Sequence, residues 1–196
     1  MLAGVPVQLV TERAAKALSD TVTPVGLVAV CAVPDVALDD VVADRPRLVA
    51  VAVEISEPGN AGTLIRIADA MGADAVVLAG HSVDPYNGKC LRASAGSIFS
   101  IPVVSDPDAA AVVGALSDAG VQVLATTVDG EVSLDEADLS GPTAWLFGPE
   151  AHGLPTELAD TVTHRVRIPM PGSAESLNVA SAASICLYQS AQAHRV

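Results

Sequence analysis

Short apolar runs separated by helix-forming stretches constrain this chain more than any other feature of its sequence. RLVAVAVEI (residues 47–55), DAVVLA (74–79), VQVLATT (121–127) and TAWLF (143–147) are brief and rich in Val, the pattern of strands covered on both faces. RVRIPM (165–170) reads as a fifth. Between them, residues 61–71, 108–119 and 177–194 carry helical spacing or strong helix formers, with Gly72 and Gly120 as stop signals. The alternation predicts an α/β domain with a mostly parallel sheet. The 196 residues suffice for one full domain, and 51% are hydrophobic but only 3% aromatic, so the core must be assembled from small and branched side chains.

The first 33 residues differ from the rest. TERAAKALSD (11–20) predicts a helix and VGLVAV (25–30) a strand, after which PDVALDDVVADRP (34–46) reads as a linker. Charge restricts the partners: 10 Lys and Arg against 23 Asp and Glu give −13, which opposes broad attraction to a polyphosphate. Six of the basic residues fall in pairs, Arg45 with Arg47, Lys89 with Arg92 and Arg165 with Arg167, so a local basic strip and plain solvated surface charge both stay open. Cys31, Cys90 and Cys186 are far apart and form no ligand pattern, so neither a disulfide framework nor a zinc or other metal site is expected. With no apolar run of about 20 residues and no signal-peptide pattern, a soluble, cytoplasmic protein is expected.

In open α/β sheets, ligands bind beyond the carboxyl ends of strands, where loops and helix N-termini present backbone N–H groups. Three segments occupy such ends. SEPGNAGTLIRIADAMG (56–72) turns at Pro58 and Gly59, offers Asn60 as a helix N-cap and carries Arg66 within two turns of it. It reads either as a capped helix with a surface arginine or as a site whose planar guanidinium meets a phosphate or hydroxyl. WLFGPEAHGLP (145–155) ends a strand in Gly148, Pro149 and Glu150; a plain turn explains the first two but not the acid. RIPMPGSAESLNVASAASICLY (167–188) crosses a loop and starts a helix around residues 176–178, where Ser176, Asn178 and Ser181 are polar at the head of an apolar helix.

Together NAGTLIR, LFGPEAHG and IPMPGSAESLNVA resemble the three motifs of the SpoU/TrmH methyltransferases of the SPOUT superfamily, over about residues 47–189. VDPYNGKCLRASAGSIFSIPV (83–103) resembles the segment between the first two motifs, especially in the ribosomal RNA, thiostrepton-resistance-type branch. The resemblance implies a parallel sheet flanked by helices with a C-terminal deep trefoil knot, and a homodimer whose active site draws on both subunits. It implies S-adenosylmethionine as cofactor, held through the backbone at Thr126, Gly148, Ile168 and Leu177. The implied reaction is methyl transfer to a ribose 2′-hydroxyl of RNA, ribosomal RNA above all.

By the same resemblance the catalytic set is Asn60, Arg66, Glu150, Ser176 and Asn178, with Lys89 and Arg92 toward RNA. The arginine matching Arg66 has been proposed in the family as the base; a guanidinium that keeps its charge is better suited to orient the hydroxyl and stabilise developing alkoxide charge. Residues 1–45 are then expected to be an N-terminal appendage, the remnant of an RNA-binding domain plus linker, and residues 46–196 the catalytic domain. NVASAAS departs from the family's usual NVS at Ala180 and Ser181. Alternatives are a transfer RNA methyltransferase and a catalytically silent dimer that binds S-adenosylmethionine or RNA. A dinucleotide or P-loop enzyme and a serine hydrolase are disfavoured by the lack of GxGxxG after the first strand, of GxxxxGK[ST] and of GxSxG.

Overall fold

The structure is a computed structural model and describes residues 4–19, 21–34, 36–149 and 153–195. The chain divides into two units, Met1–Val33 and Pro34–Val196. The first contains one helix, α1 (Glu12–Ala17), capped by Thr11, whose hydroxyl accepts from the N–H of Ala14 at 3.2 Å. It buries no residue. The strand expected at residues 25–30 does not form, and Val25, Leu27, Val28 and Val30 are exposed: a strand needs a neighbour for its backbone groups, and the described residues supply none here.

The second unit begins with α2 (Leu38–Ala43), inside the stretch expected to be a linker; Val41 anchors it by packing against the core, which the sequence pattern did not disclose. There follow β1 (Leu48–Val53), α3 (Pro58–Ala70), β2 (Ala75–Ala79), α4 (Gly88–Ser94), a 3₁₀ turn at Ser97–Phe99 and β3 (Val103–Asp106). Next come α5 (Ala109–Asp118), β4 (Gln122–Thr126), β5 (Val132–Ser133), β6 (Thr143–Phe147), α6 (Thr156–Ala159), β7 (His164–Arg167) and α7 (Val179–Ala193). The strands form one sheet in the order β3-β2-β1-β6-β4-β7-β5, and every pairing is parallel. The four clearest apolar runs are thus strands; β3 and the two-residue β5 were not anticipated.

Because successive strand residues face opposite sides, Leu48, Ala50 and Ala52 of β1 enter one core with α3, α4 and α7, while Val49, Val51 and Val53 enter another with α2, α5 and α6. The sheet is therefore sandwiched, and β1 is buried along its whole length. β7 lies between β4 and β5, although those two follow one another in sequence. The connection, residues 127–131, consequently crosses β7. The crossing is close: a Cβ on Gly130 would stand 2.6 Å from the amide nitrogen of Arg167 and from the carbonyl carbon of Val166. Arg167 Nη1 donates to the carbonyl of Gly130 at 2.9 Å, and Arg165 Nε donates to Glu131 at 3.1 Å, so the arginines of β7 pin the connection from below.

Candidate functional site

Three strand ends meet beside the point where the strand order reverses, the favoured place for a ligand in such a sheet. Thr126 ends β4, Gly148 follows β6 and Ile168 follows β7. Together with Leu177 they line one cavity of about 400 Å³, closed by Leu154, Val166, Met170, Val179 and Ala182 and edged by Thr127, Asp129 and Ser176. All four residues expected to hold the cofactor are therefore brought together, and Ser176 with them. Gly148 is required by crowding: an added Cβ would lie 2.7 Å from the nitrogen of Leu154 and 2.8 Å from the carbonyl carbon of Gly153. Among the described residues the N–H groups of Ile168 and Leu177 donate to no backbone carbonyl, leaving main-chain donors at the cavity.

Asn178 caps α7, its Oδ1 accepting from the N–H of Ala180 at 3.0 Å. That acceptor role fixes the amide orientation, and Nδ2 donates to Asn60 Oδ1 at 3.2 Å across 118 residues of sequence. The first and third segments are joined by this bond. Asn60 itself is not the N-cap of α3. Pro58 takes the first helical position, where its fixed φ and missing N–H cost nothing, so the cap falls on Glu57, which accepts from Gly59 N at 3.2 Å. The helix of the third segment, α7, starts at Val179 behind Asn178, at the far end of the expected 176–178 start.

Arg66 is exposed on α3 and does not line the cavity. Six residues beyond Asn60, it points about 120° around the helix from it and about 9 Å further along. Among the described residues it has no ion-pair or hydrogen-bond partner, and the same holds for exposed Arg92 on α4. α4 is held close to α3 at Gly62, where a Cβ would meet the carbonyl oxygen of Cys90 at 2.3 Å. Lys89 is less free, since its ammonium is bound to Glu57. That bond, with the N–H of Gly59, holds the Glu57 carboxyl below the usual glutamate range. Arg165 and Arg167 are spent on the crossing, which removes one pair from any basic strip. Glu150 lies outside the described residues.

One feature was not anticipated: Thr127 Oγ1 is buried and has no hydrogen-bond partner among the described residues, although the residue lines the cavity. Its neighbour Thr126 is satisfied, donating to the carbonyl of Leu146 at 2.9 Å. An unsatisfied hydroxyl depends on the final packing and leaves no mark in sequence.

Fold and cavity define a parallel α/β protein that receives a small, partly apolar ligand at the carboxyl ends of its strands. The chain belongs to the SpoU rRNA Methylase family, whose model matches residues 47–188. It is 37% identical over 185 residues to the 23S rRNA (guanosine(2553)-2′-O)-methyltransferase RlmP of Bacillus subtilis, covering 94% of this chain and 72% of that protein. Among solved structures it resembles the SpoU methyltransferase AviRb of Streptomyces viridochromogenes in complex with AdoMet, with TM-score 0.69 and 38% identity over 74% of this chain. It also resembles an AdoMet-bound rRNA methyltransferase of Sinorhizobium meliloti, with TM-score 0.76 and 36% identity over 81% of this chain. The chain spans 59% and 60% of the lengths of those two structures.

Proposed function

We propose that this protein transfers a methyl group from S-adenosylmethionine to a ribose 2′-hydroxyl of ribosomal RNA, acting in the cytoplasm as a homodimer. The observation that carries the reading is the convergence of Thr126, Gly148, Ile168 and Leu177 on one cavity. The cavity suits the cofactor. Its walls are apolar enough for a flat base, its strand-end N–H groups are open to an acceptor, and the buried Thr127 hydroxyl waits for a partner. When bound, S-adenosylmethionine supplies an electrophilic methyl on a sulfonium.

The chain's own residues do the rest. Asn178 holds the head of α7 over the cavity and ties it to Asn60, which fixes the start of α3 and hence the helix bearing Arg66. Arg66 orients the attacking hydroxyl or the phosphate beside it and stabilises charge developing on the oxygen. Since Arg66 stands away from the cavity of its own chain, the reading places it in the cavity of a second copy. The exposed stripe of Ile185 and Tyr188 on α7 supplies apolar surface for that pairing. Arg92 meets an RNA phosphate, and Lys89 does so when Glu57 releases it. Glu150 and Ser176 complete the substrate side.

The crossing of β7 by residues 127–131 supports a C-terminal knot through which residues 168–178 pass. Residues 1–45 are read as an appendage to a catalytic domain at 46–196, a division supported by the matched range, although α2 already packs with the compact unit that starts at Pro34. No helix among the described residues is long and apolar enough to cross a membrane. The test is to supply radiolabelled S-adenosylmethionine with ribosomal and transfer RNA separately. Label in ribosomal RNA alone is expected, lost in Arg66→Ala while cofactor affinity is kept; label in transfer RNA alone redirects the substrate, and label in neither overturns the enzyme reading.

A further inference from the structure

We infer that Thr127 is a specificity-determining contact of the cavity, its hydroxyl recognising a ribose hydroxyl of the nucleoside cofactor. The inference rests on the proposed reading of the cavity and deepens it. Of the polar side chains on the cavity edge, Thr126 is committed to the carbonyl of Leu146 at 2.9 Å, and Ser176 and Asp129 are exposed to water. Thr127 differs from all three: its oxygen is shielded from solvent yet has no hydrogen-bond partner among the described residues. Native proteins rarely leave a buried hydroxyl in that state, because losing its water without a replacement is unfavourable. A residue retained at such a cost beside a ligand cavity is explained by a partner that arrives with the ligand.

The chemistry of the partner follows from the surroundings. The neighbouring lining residues Val166, Ile168, Leu177 and Leu154 are apolar and suit a base, so the hydroxyl meets what is attached to the base. A threonine hydroxyl both donates and accepts, which matches a sugar hydroxyl with the same dual capacity. One staggered χ1 step carries the hydroxyl to an adjacent position on Cβ, so Thr127 can redirect its hydrogen bond toward the cavity it lines without backbone motion.

The experiment titrates the full chain with S-adenosylhomocysteine and with its 2′-deoxy and 3′-deoxy analogues by calorimetry, alongside thermal melts without ligand. Thr127→Val, which keeps the shape and removes the hydroxyl, is expected to bind S-adenosylhomocysteine about tenfold more weakly while its melting temperature rises by roughly 2–4 °C. Thr127→Ser is expected to stay within about twofold of the unsubstituted chain. One deoxy analogue should lose about tenfold on the unsubstituted chain and little on Thr127→Val, the non-additivity of a direct contact. Equal affinity of Thr127→Val and the unsubstituted chain overturns the inference, as does equal weakening by Val and Ser. If the unsubstituted chain binds no S-adenosylhomocysteine, the reading of the cavity itself fails.

Discussion

Replacing Gly62 with alanine sets two opposing terms against each other, and the structure decides which wins. Gly62 sits inside α3, where glycine costs about 1 kcal/mol relative to alanine, so propensity alone favours the substitution. The new methyl, however, would lie 2.3 Å from the carbonyl oxygen of Cys90, 2.7 Å from Cβ of Ala93 and 3.0 Å from the nitrogen of Ser94. Two of these are backbone atoms of α4, which cannot swing aside as a side-chain tip can. The helices must separate by about 1 Å to restore ordinary contact, and overpacking of this kind costs about 1–3 kcal/mol or more.

With backbone as the obstacle the upper end applies, leaving a net loss of about 2 kcal/mol, or roughly 4–8 °C in melting temperature for a chain of this size. Gly114→Ala is the matched control, because Gly114 lies inside α5 with nothing within 4 Å of its would-be Cβ. It should gain about 1 kcal/mol. Methyl transfer should fall in Gly62→Ala beyond the loss of folded protein, since α3 carries Arg66 and α4 carries Arg92, while S-adenosylhomocysteine affinity stays unchanged. Thermal melts of both variants check the energetics. A Gly62→Ala protein that melts as high as the unsubstituted chain refutes the close-packing argument.

Further outcomes are expected elsewhere. Asn178→Ala should lose about 2 kcal/mol by urea denaturation, combining a lost cap with the lost bond to Asn60. Asn178→Asp should fall between, since it keeps the cap acceptor but has no N–H for Asn60. Glu57 is held below the usual glutamate range, first by Lys89 and then by the Gly59 N–H, so its stabilisation is full above the unfolded-state value and lost as pH falls through the depressed folded value. Glu57→Gln should therefore flatten the acid limb of melting temperature below the ordinary glutamate range, and an unchanged limb would remove Glu57 from the account. Gly130→Ala should yield little native protein on circular dichroism, because its methyl would meet three backbone atoms of β7.

What the sequence disclosed and what it hid divide along physical lines. β1, β2, β4 and β6 were legible because strands buried on both faces must be apolar throughout. β5 was not, since two residues carry no period, and residues 25–30 show the converse: Val-rich sequence makes no strand without a neighbour to bond. The cavity residues Thr126, Gly148, Ile168 and Leu177 were reached through the resemblance to the family's motifs, yet the cap of α3 moved from Asn60 to Glu57 because Pro58 claimed the first helical position. Arg66 could be singled out from sequence, but its distance from the cavity is a property of helix geometry that spacing alone did not reveal. The engagement of Lys89, Arg165 and Arg167 by Glu57, Glu131 and Gly130 was hidden for a related reason, as charge pairing is decided between elements far apart in the chain.

The placement of β7 between β4 and β5 has a consequence for how the protein is made. A ribosome delivers β4, the crossing connection and β5 well before it delivers β7, so the slot between them must wait with the N–H groups of Thr127 and Leu134 facing no carbonyl of Val166 or Arg167. The last of the sheet's described strands in chain order is an interior strand, and the cavity gains Ile168 and Leu177 only after it has entered. A nascent chain therefore exposes an open sheet edge until β7 emerges, and its refolding belongs to the slow regime of non-local pairings.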